Sequence, residues 1–314
     1  MHVLLVDVDS KIPNLALMKL SAYHKQLGDQ VGFVTTTPDL IYVSIIFSKN
    51  RHHGSLYRHL FPRATVKYGG PGWDPKIKLD PAVEQTSPDL TLYKSRYSVA
   101  RVTSGCYRRC PFCIVPLLDP QVRYILSPAV QHKKGTILRI LDDNILFSPP
   151  AFEEVITYAR SHNVRVRFEY LDIRLLTEEQ ASQLKTISLE NNTLFFSFDY
   201  ITIEGIIREK VAMLFRAGFV GRSIKFLLYC GGESELVDLA KRWSIVREEL
   251  GCEAFAMFNQ NSLTSKLRRI RRKLQRPALY RNRSITELFE LTDFTNTEQT
   301  SRLSQKLLRI TTNN

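Results

Sequence analysis

Three of the chain's five cysteines fall within eight residues. They lie in the stretch TSGCYRRCPFCIVP, where Cys106, Cys110 and Cys113 form a C-x3-C-x2-C run. Such spacing lets one tight loop turn three thiolates toward a common point, the donor set of a soft metal or an iron–sulfur cluster. A structural zinc site normally closes a tetrahedron with four protein ligands. No fourth cysteine lies nearby: Cys230 and Cys252 sit singly in apolar segments, and His132 follows Cys113 by 19 residues. Three cysteines on a four-iron cluster leave one iron open, which suits a cluster that binds a reactant.

The run has an aromatic residue, Phe112, before its last cysteine, and the strand-like segment from Ser98 to Val102 precedes it. In these features it resembles the signature of the radical S-adenosylmethionine (radical SAM) superfamily. The resemblance implies that Cys106, Cys110 and Cys113 bind three irons of a [4Fe-4S] cluster and that the amino and carboxylate groups of SAM chelate the fourth. It also implies an external electron donor of the flavodoxin or ferredoxin type. Reductive cleavage of SAM would then yield a 5′-deoxyadenosyl radical that abstracts hydrogen from a substrate.

The elements that must position this loop begin with HVLLVDV at residues 2–8, read as a buried strand. A helical pattern follows through Leu15, Leu17, Met18, Leu20 and Tyr23, with Gly28 placed to end it. VGFVTT, LIYVSIIF and TVKYGG supply three more strands, and RHHGSLYRHLF a crossover helix. Alternating strands and helices predict a parallel sheet, so residues 1–80 read as a Rossmann-like domain. VLLVDVD and YGGPG, with Gly69, Gly70 and Gly72, resemble the cobalamin-binding domain that precedes the radical SAM core in one branch. The resemblance admits cobalamin as a ligand. The cobalt-ligating D-x-H-x-x-G is absent, because DVDSKIPNLAL holds no histidine, so axial ligation by a histidine there is excluded. A scaffold domain that binds no cofactor is the alternative.

Residues 81–97 read as a linker. Beyond them the strand-like runs ARVTS, ILRIL, VRVRFEYL, TLFFSF, IKFLLY and AFAMF recur at the spacing of one βα unit. Ser148 before Pro149 and Pro150 predicts a helix start, Thr177 with Gln180 a capping box, and Gly218 and Gly251 helix stops. The expected fold class is α/β, a Rossmann-like parallel sheet domain followed by a partial (β/α)6 TIM-type barrel over residues 98–262. A six-unit partial barrel is also what the resemblance implies.

In such barrels chemistry gathers at the carboxyl ends of the strands. Those ends carry Asp142, Asp143 and Asn144, then Asp172 and Arg174, then Ser197 and Asp199, then Cys230 to Glu233, and finally Asn259 and Gln260, with Met257 of the last strand a further cofactor-binding candidate. A mixture of acids, amides and an arginine suits a ribose, an ammonium and a carboxylate. Each has a plainer alternative: Asp199 as a helix cap, Asp142 as a loop-orienting group, Asp172 with Arg174 as a structural ion pair. From the resemblance, Asp142 or Asp143 would meet the SAM ammonium where the family usually has a glycine-rich contact. The Phe112 backbone and the strand from Phe255 to Asn259 would flank the adenine.

The chain of 314 residues carries a net charge of +13. Nine Lys or Arg and no acid lie between Lys266 and Arg283, so any case for an anionic partner rests largely on one segment. There Leu263, Leu267, Ile270 and Leu274 predict one apolar face of a basic helical segment over 263–291, ringed by Arg268, Arg269, Arg271 and Arg272. Those arginines are candidates for nucleic-acid binding, and an anionic macromolecular substrate is one expected partner. A zinc-stabilised nucleic-acid-binding module is the competing function. Residues 292–314 predict a weakly ordered tail. No run is long enough to span a membrane, and thiols without a disulfide framework fit a reducing, cytoplasmic setting.

Overall fold

A computed structural model describes residues 1–124, 130–275 and 285–290. The expected tail, and residues 276–284 and 291 of the basic segment, lie outside the described residues. The chain divides into two compact units, Met1–Phe195 and Phe196–Asn314.

The first unit opens with four parallel strands: β1 (His2–Asp7), β2 (Gln30–Gly32), β3 (Leu40–Ser44) and β4 (Thr65–Gly69), in the order β2-β1-β3-β4. Val3 to Val6 are all buried, as a central parallel strand covered on both faces requires. Val3 and Leu5 join one core with Leu17, Leu20, Leu40 and Val83, while Leu4 and Val6 join the other with Ile41, Val43 and Ile45. Helix α1 (Leu15–Gln26) starts where the Asn14 side chain accepts from the Leu17 amide at 3.2 Å, and Gly28 ends it in the left-handed region. VGFVTT pairs only as far as Gly32. The expected crossover helix forms two short pieces, α2 (Arg51–Ser55) and α3 (Tyr57–Leu60). The linker contains a capped turn, α4 (Pro81–Glu84), whose Glu84 meets Lys19 of α1 at 2.7 Å.

The same unit carries β5 (Tyr97–Ala100), a short antiparallel pair β6 (Thr103–Ser104) and β7 (Arg123–Tyr124), and helix α5 (Val115–Leu118) between them. Strands β8 (Ile137–Ile140) and β9 (Val166–Phe168) extend β5 into a parallel sheet, β5-β8-β9, with α6 (Pro149–Ser161) as the connection between the last two. ARVTS, expected as one strand, breaks after Ala100. Its Val102 and Thr103 amides go to the Asp142 carboxylate, at 3.0 and 2.5 Å. Helix α7 (Glu178–Lys185) has the expected Thr177–Gln180 capping box.

The sheet β10-β11-β12 comprises β10 (Leu194–Ser197), in which the two units divide, β11 (Ile224–Cys230) and β12 (Glu253–Phe258), the last two parallel. Helices α8 (Glu204–Arg216) and α9 (Leu236–Ser244) follow β10 and β11. Helix α9 continues through one wider turn at Ile245–Glu249 to the expected stop at Gly251. Each three-stranded sheet keeps the order of the βα series. Helix α10 (Ser265–Leu274) and a short α11 (Ile285–Phe289) complete the described chain. Among the described residues no helix is long and apolar enough to cross a membrane.

Candidate functional site

Cys106, Cys110 and Cys113 are half-buried on the loop between β6 and α5, and none of the five cysteines forms a disulfide. Gly105 enters the loop in the left-handed region, where an added Cβ would overlap the Gln121 carbonyl, so only glycine fits. Arg109 also takes positive φ, and the Cys113 amide donates to the Cys110 carbonyl at 3.0 Å. Two left-handed residues and one tight turn therefore shape the segment that carries the three cysteines.

Carboxylates from the neighbouring strand ends hold this loop. Asp142, buried beyond β8, accepts from the Val102 amide, the Thr103 amide and, at 2.6 Å, the Thr103 hydroxyl; burial nonetheless pushes its pKa up. Asp143 accepts from the Gly105 amide at 2.9 Å and pairs with Arg101. Arg101 also reaches Asp119, beyond the cysteines, at 2.9 Å, and Asp119 gathers Arg123 at 3.2 Å and Lys78 at 3.3 Å. Residues before and after the loop are thereby tied together. Burial opposes the charge on Asp119, but Arg101 and Lys78 outweigh it and hold the carboxyl below the usual range.

A third carboxylate comes from beyond β9. Asp172 accepts from Arg108, inside the loop, at 2.9 Å and from Arg174 at 2.6 Å. Burial again opposes ionisation, and the two guanidiniums hold the carboxyl below its ordinary value. Burial likewise opposes the Arg174 charge, which Asp172 most of all, with Tyr107 and Cys110, offsets. A cation therefore stands within electrostatic reach of Cys110. Asn144, also beyond β8, is buried, and neither its amide nitrogen nor its oxygen has a hydrogen-bond partner. The buried Ser104 hydroxyl is likewise unpartnered, and such groups cost about 1–3 kcal/mol each unless a ligand or water meets them.

The second unit holds the remaining expected residues. The Asp199 carboxylate accepts from the Tyr229 amide at 3.4 Å, and Ser197 is half-buried at the end of β10. Phe255 and Met257 are exposed on one face of β12, in register with Leu227 and Tyr229 of β11. Asn259 donates its amide to the Cys230 carbonyl at 3.0 Å, and its side chain accepts from Asn261 at 3.0 Å. Cys230 and Cys252 are buried, and burial pushes their thiols up to about 11 and about 12. Arg268, Arg269 and Arg272 are exposed on α10 and Arg271 is half-buried, while Leu267, Ile270 and Leu274 are buried as expected.

Among the described residues no three His, Cys, Asp or Glu side chains are gathered closely enough to hold a metal ion. The chemistry of the loop's donors fits an iron–sulfur group: three half-buried soft sulfurs on one short loop whose backbone and Arg108 are held by Asp142, Asp143 and Asp172. In the glycine-rich loop a Cβ added at Gly70 would overlap the Ile45 backbone and one at Gly72 the Phe47 backbone, so the chain passes close to both glycines. The Asp9 carboxylate accepts from the Ile46 and Phe47 amides, at 2.7 and 3.0 Å.

Sequence position did not single out Arg101, Arg108 or Asp119. Their available signals were an arginine directly after a strand, a basic pair between two cysteines, and a lone acid soon after the third. No family model matches this chain, and no match to it is found among curated proteins.

Proposed function

We propose that this protein is a radical SAM enzyme in which Cys106, Cys110 and Cys113 hold a [4Fe-4S] cluster. One observation carries the reading: the C-x3-C-x2-C loop follows β5 of the β5-β8-β9 sheet and is braced by Asp142 and Asp143 from the end of β8 and by Asp172 from beyond β9. In this reading the strands of the two three-stranded sheets are successive members of a partial (β/α)6 barrel. The bound cluster and SAM supply the one-electron cleavage that yields a 5′-deoxyadenosyl radical.

The chain's own residues have narrower tasks. Asp142 and Asp143 fix the backbone from Val102 to Gly105, so that the three cysteine side chains close on the cluster from a preset loop. Arg108, through Asp172, fixes the middle of that loop, and Arg174 balances negative charge beside Cys110. Asn144 and Ser104 offer unmet hydrogen bonds to a polar ligand group at the same strand ends. The expected contacts of Ser197, Asp199, Met257 and Asn259 with SAM belong to this proposal as well.

A zinc-stabilised module is less well supported. His132, the nearest candidate for a fourth ligand, is hydrogen-bonded to the Tyr158 hydroxyl at 2.9 Å, and Cys230 and Cys252 are buried with raised thiols. Anaerobic reconstitution followed by iron and sulfide analysis tests the reading. About four of each per chain are expected, with loss in Cys110→Ala. Stoichiometric zinc with no iron uptake would contradict it.

A further inference from the structure

We infer that the outer face of α10 binds the phosphate backbone of a nucleic acid, independently of the cluster. Leu267, Ile270 and Leu274 are buried, so the apolar stripe is consumed by packing and the face left to solvent is cationic. Six cations lie along the helix. Arg269 and Lys273 converge on Glu290, at 2.8 and 2.7 Å, which holds that carboxyl down at about 2. Lys266, Arg268, Arg271 and Arg272 have no acidic partner among the described residues. Arg268 and Arg272 are one turn apart, about 6 Å along the axis, close to two nucleotide rises of about 3.4 Å.

The composition of the face selects among anionic partners. A membrane-surface helix needs a free apolar side to bury in lipid, and here that side is already covered. Four of the six cations are arginines, whose planar forks match phosphate oxygens in pairs. The helix carries no aromatic residue on which a base could stack. The expected partner is therefore a duplex or structured nucleic acid, gripped by its backbone with little sequence preference.

Fluorescence anisotropy of the full chain with a short mixed-sequence DNA duplex, across a salt series, tests this. Replacing the two exposed arginines that have no acidic partner among the described residues (Arg268→Gln with Arg272→Gln) should weaken binding and lower the steepness of log K against log salt by about 0.9 per residue. Glu290→Gln should do the opposite, because it releases Arg269 and Lys273 to make further phosphate contacts. Circular dichroism should show both variants folded, since neither touches the buried stripe. Unchanged affinity and slope in the arginine variant would overturn the inference. So would binding to anionic phospholipid vesicles without binding to the duplex. Iron content of the same preparations reads the cluster proposal separately, because no residue of α10 belongs to the cysteine loop.

Discussion

Arg108, midway between Cys106 and Cys110, donates to the Asp172 carboxylate at 2.9 Å, so the centre of the cysteine loop is anchored to the end of β9. The other carboxylate oxygen accepts from Arg174 at 2.6 Å, which leaves one half-buried acid between two guanidiniums. Replacing Asp172 by Asn removes that shared counter-charge. The substitution should cost about 1–3 kcal/mol in urea denaturation and speed alkylation of Cys106 and Cys110. Unchanged stability and thiol reactivity would show that the loop is held without this anchor.

The five thiols should separate sharply. In metal-free protein at neutral pH, iodoacetamide is expected to modify Cys106, Cys110 and Cys113, which are half-exposed, and to spare Cys230 and Cys252. The latter pair is buried, and raised thiols remain protonated and unreactive well above neutrality. Peptide mapping by mass spectrometry reads the pattern, and modification of Cys230 or Cys252 in folded protein would contradict it.

Arg242 is the largest fully buried side chain of the described residues. It donates to Asp238 at 2.6 Å, to the Phe198 carbonyl at 2.7 Å and to the Tyr229 carbonyl at 2.9 Å, bracing the ends of β10 and β11 from α9. Arg242→Ala should destabilise the second unit by about 3–5 kcal/mol, because two carbonyls and an acid lose their donor together. Thermal unfolding followed by circular dichroism would register the loss.

Asp89 provides a pH test of the first unit. Burial opposes its ionisation, yet hydrogen bonds from Lys25, Thr91 and Ser21 hold the carboxyl far below the ordinary aspartate value of 3.8. A depressed folded value means that its stabilisation is complete above the ordinary value and is lost as pH falls below it. Asp89→Asn should therefore cost about 1–3 kcal/mol at neutral pH, and the gap to the unsubstituted protein should close progressively below pH 3.8. A gap that stays constant down to strongly acidic pH would argue against the assignment.

Much of the framework was legible in residue patterns. The six strand-like runs, the capping box at Thr177, the stops at Gly28, Gly218 and Gly251, and the buried stripe of α10 follow from periodicity and local backbone chemistry. What periodicity cannot carry is the direction of a side chain at a strand end. Asp142, Asp143 and Asp172 stand where cofactor contacts were expected, but their oxygens turn to Val102, Thr103, Gly105 and Arg108 of the cysteine loop. The break in ARVTS has the same origin, since a carboxylate 40 residues away captures its amides. Likewise Glu290 neutralises two of the helix cations, a pairing that depends on how α11 folds back against α10.

The most direct measurement of the central proposal is formation of 5′-deoxyadenosine from SAM by anaerobically reconstituted, dithionite-reduced protein, followed by liquid chromatography with mass spectrometry. The unsubstituted chain should produce it, and Cys106→Ala, Cys110→Ala and Cys113→Ala should not. Absence of 5′-deoxyadenosine from protein that holds a full complement of iron and sulfide would contradict the assignment.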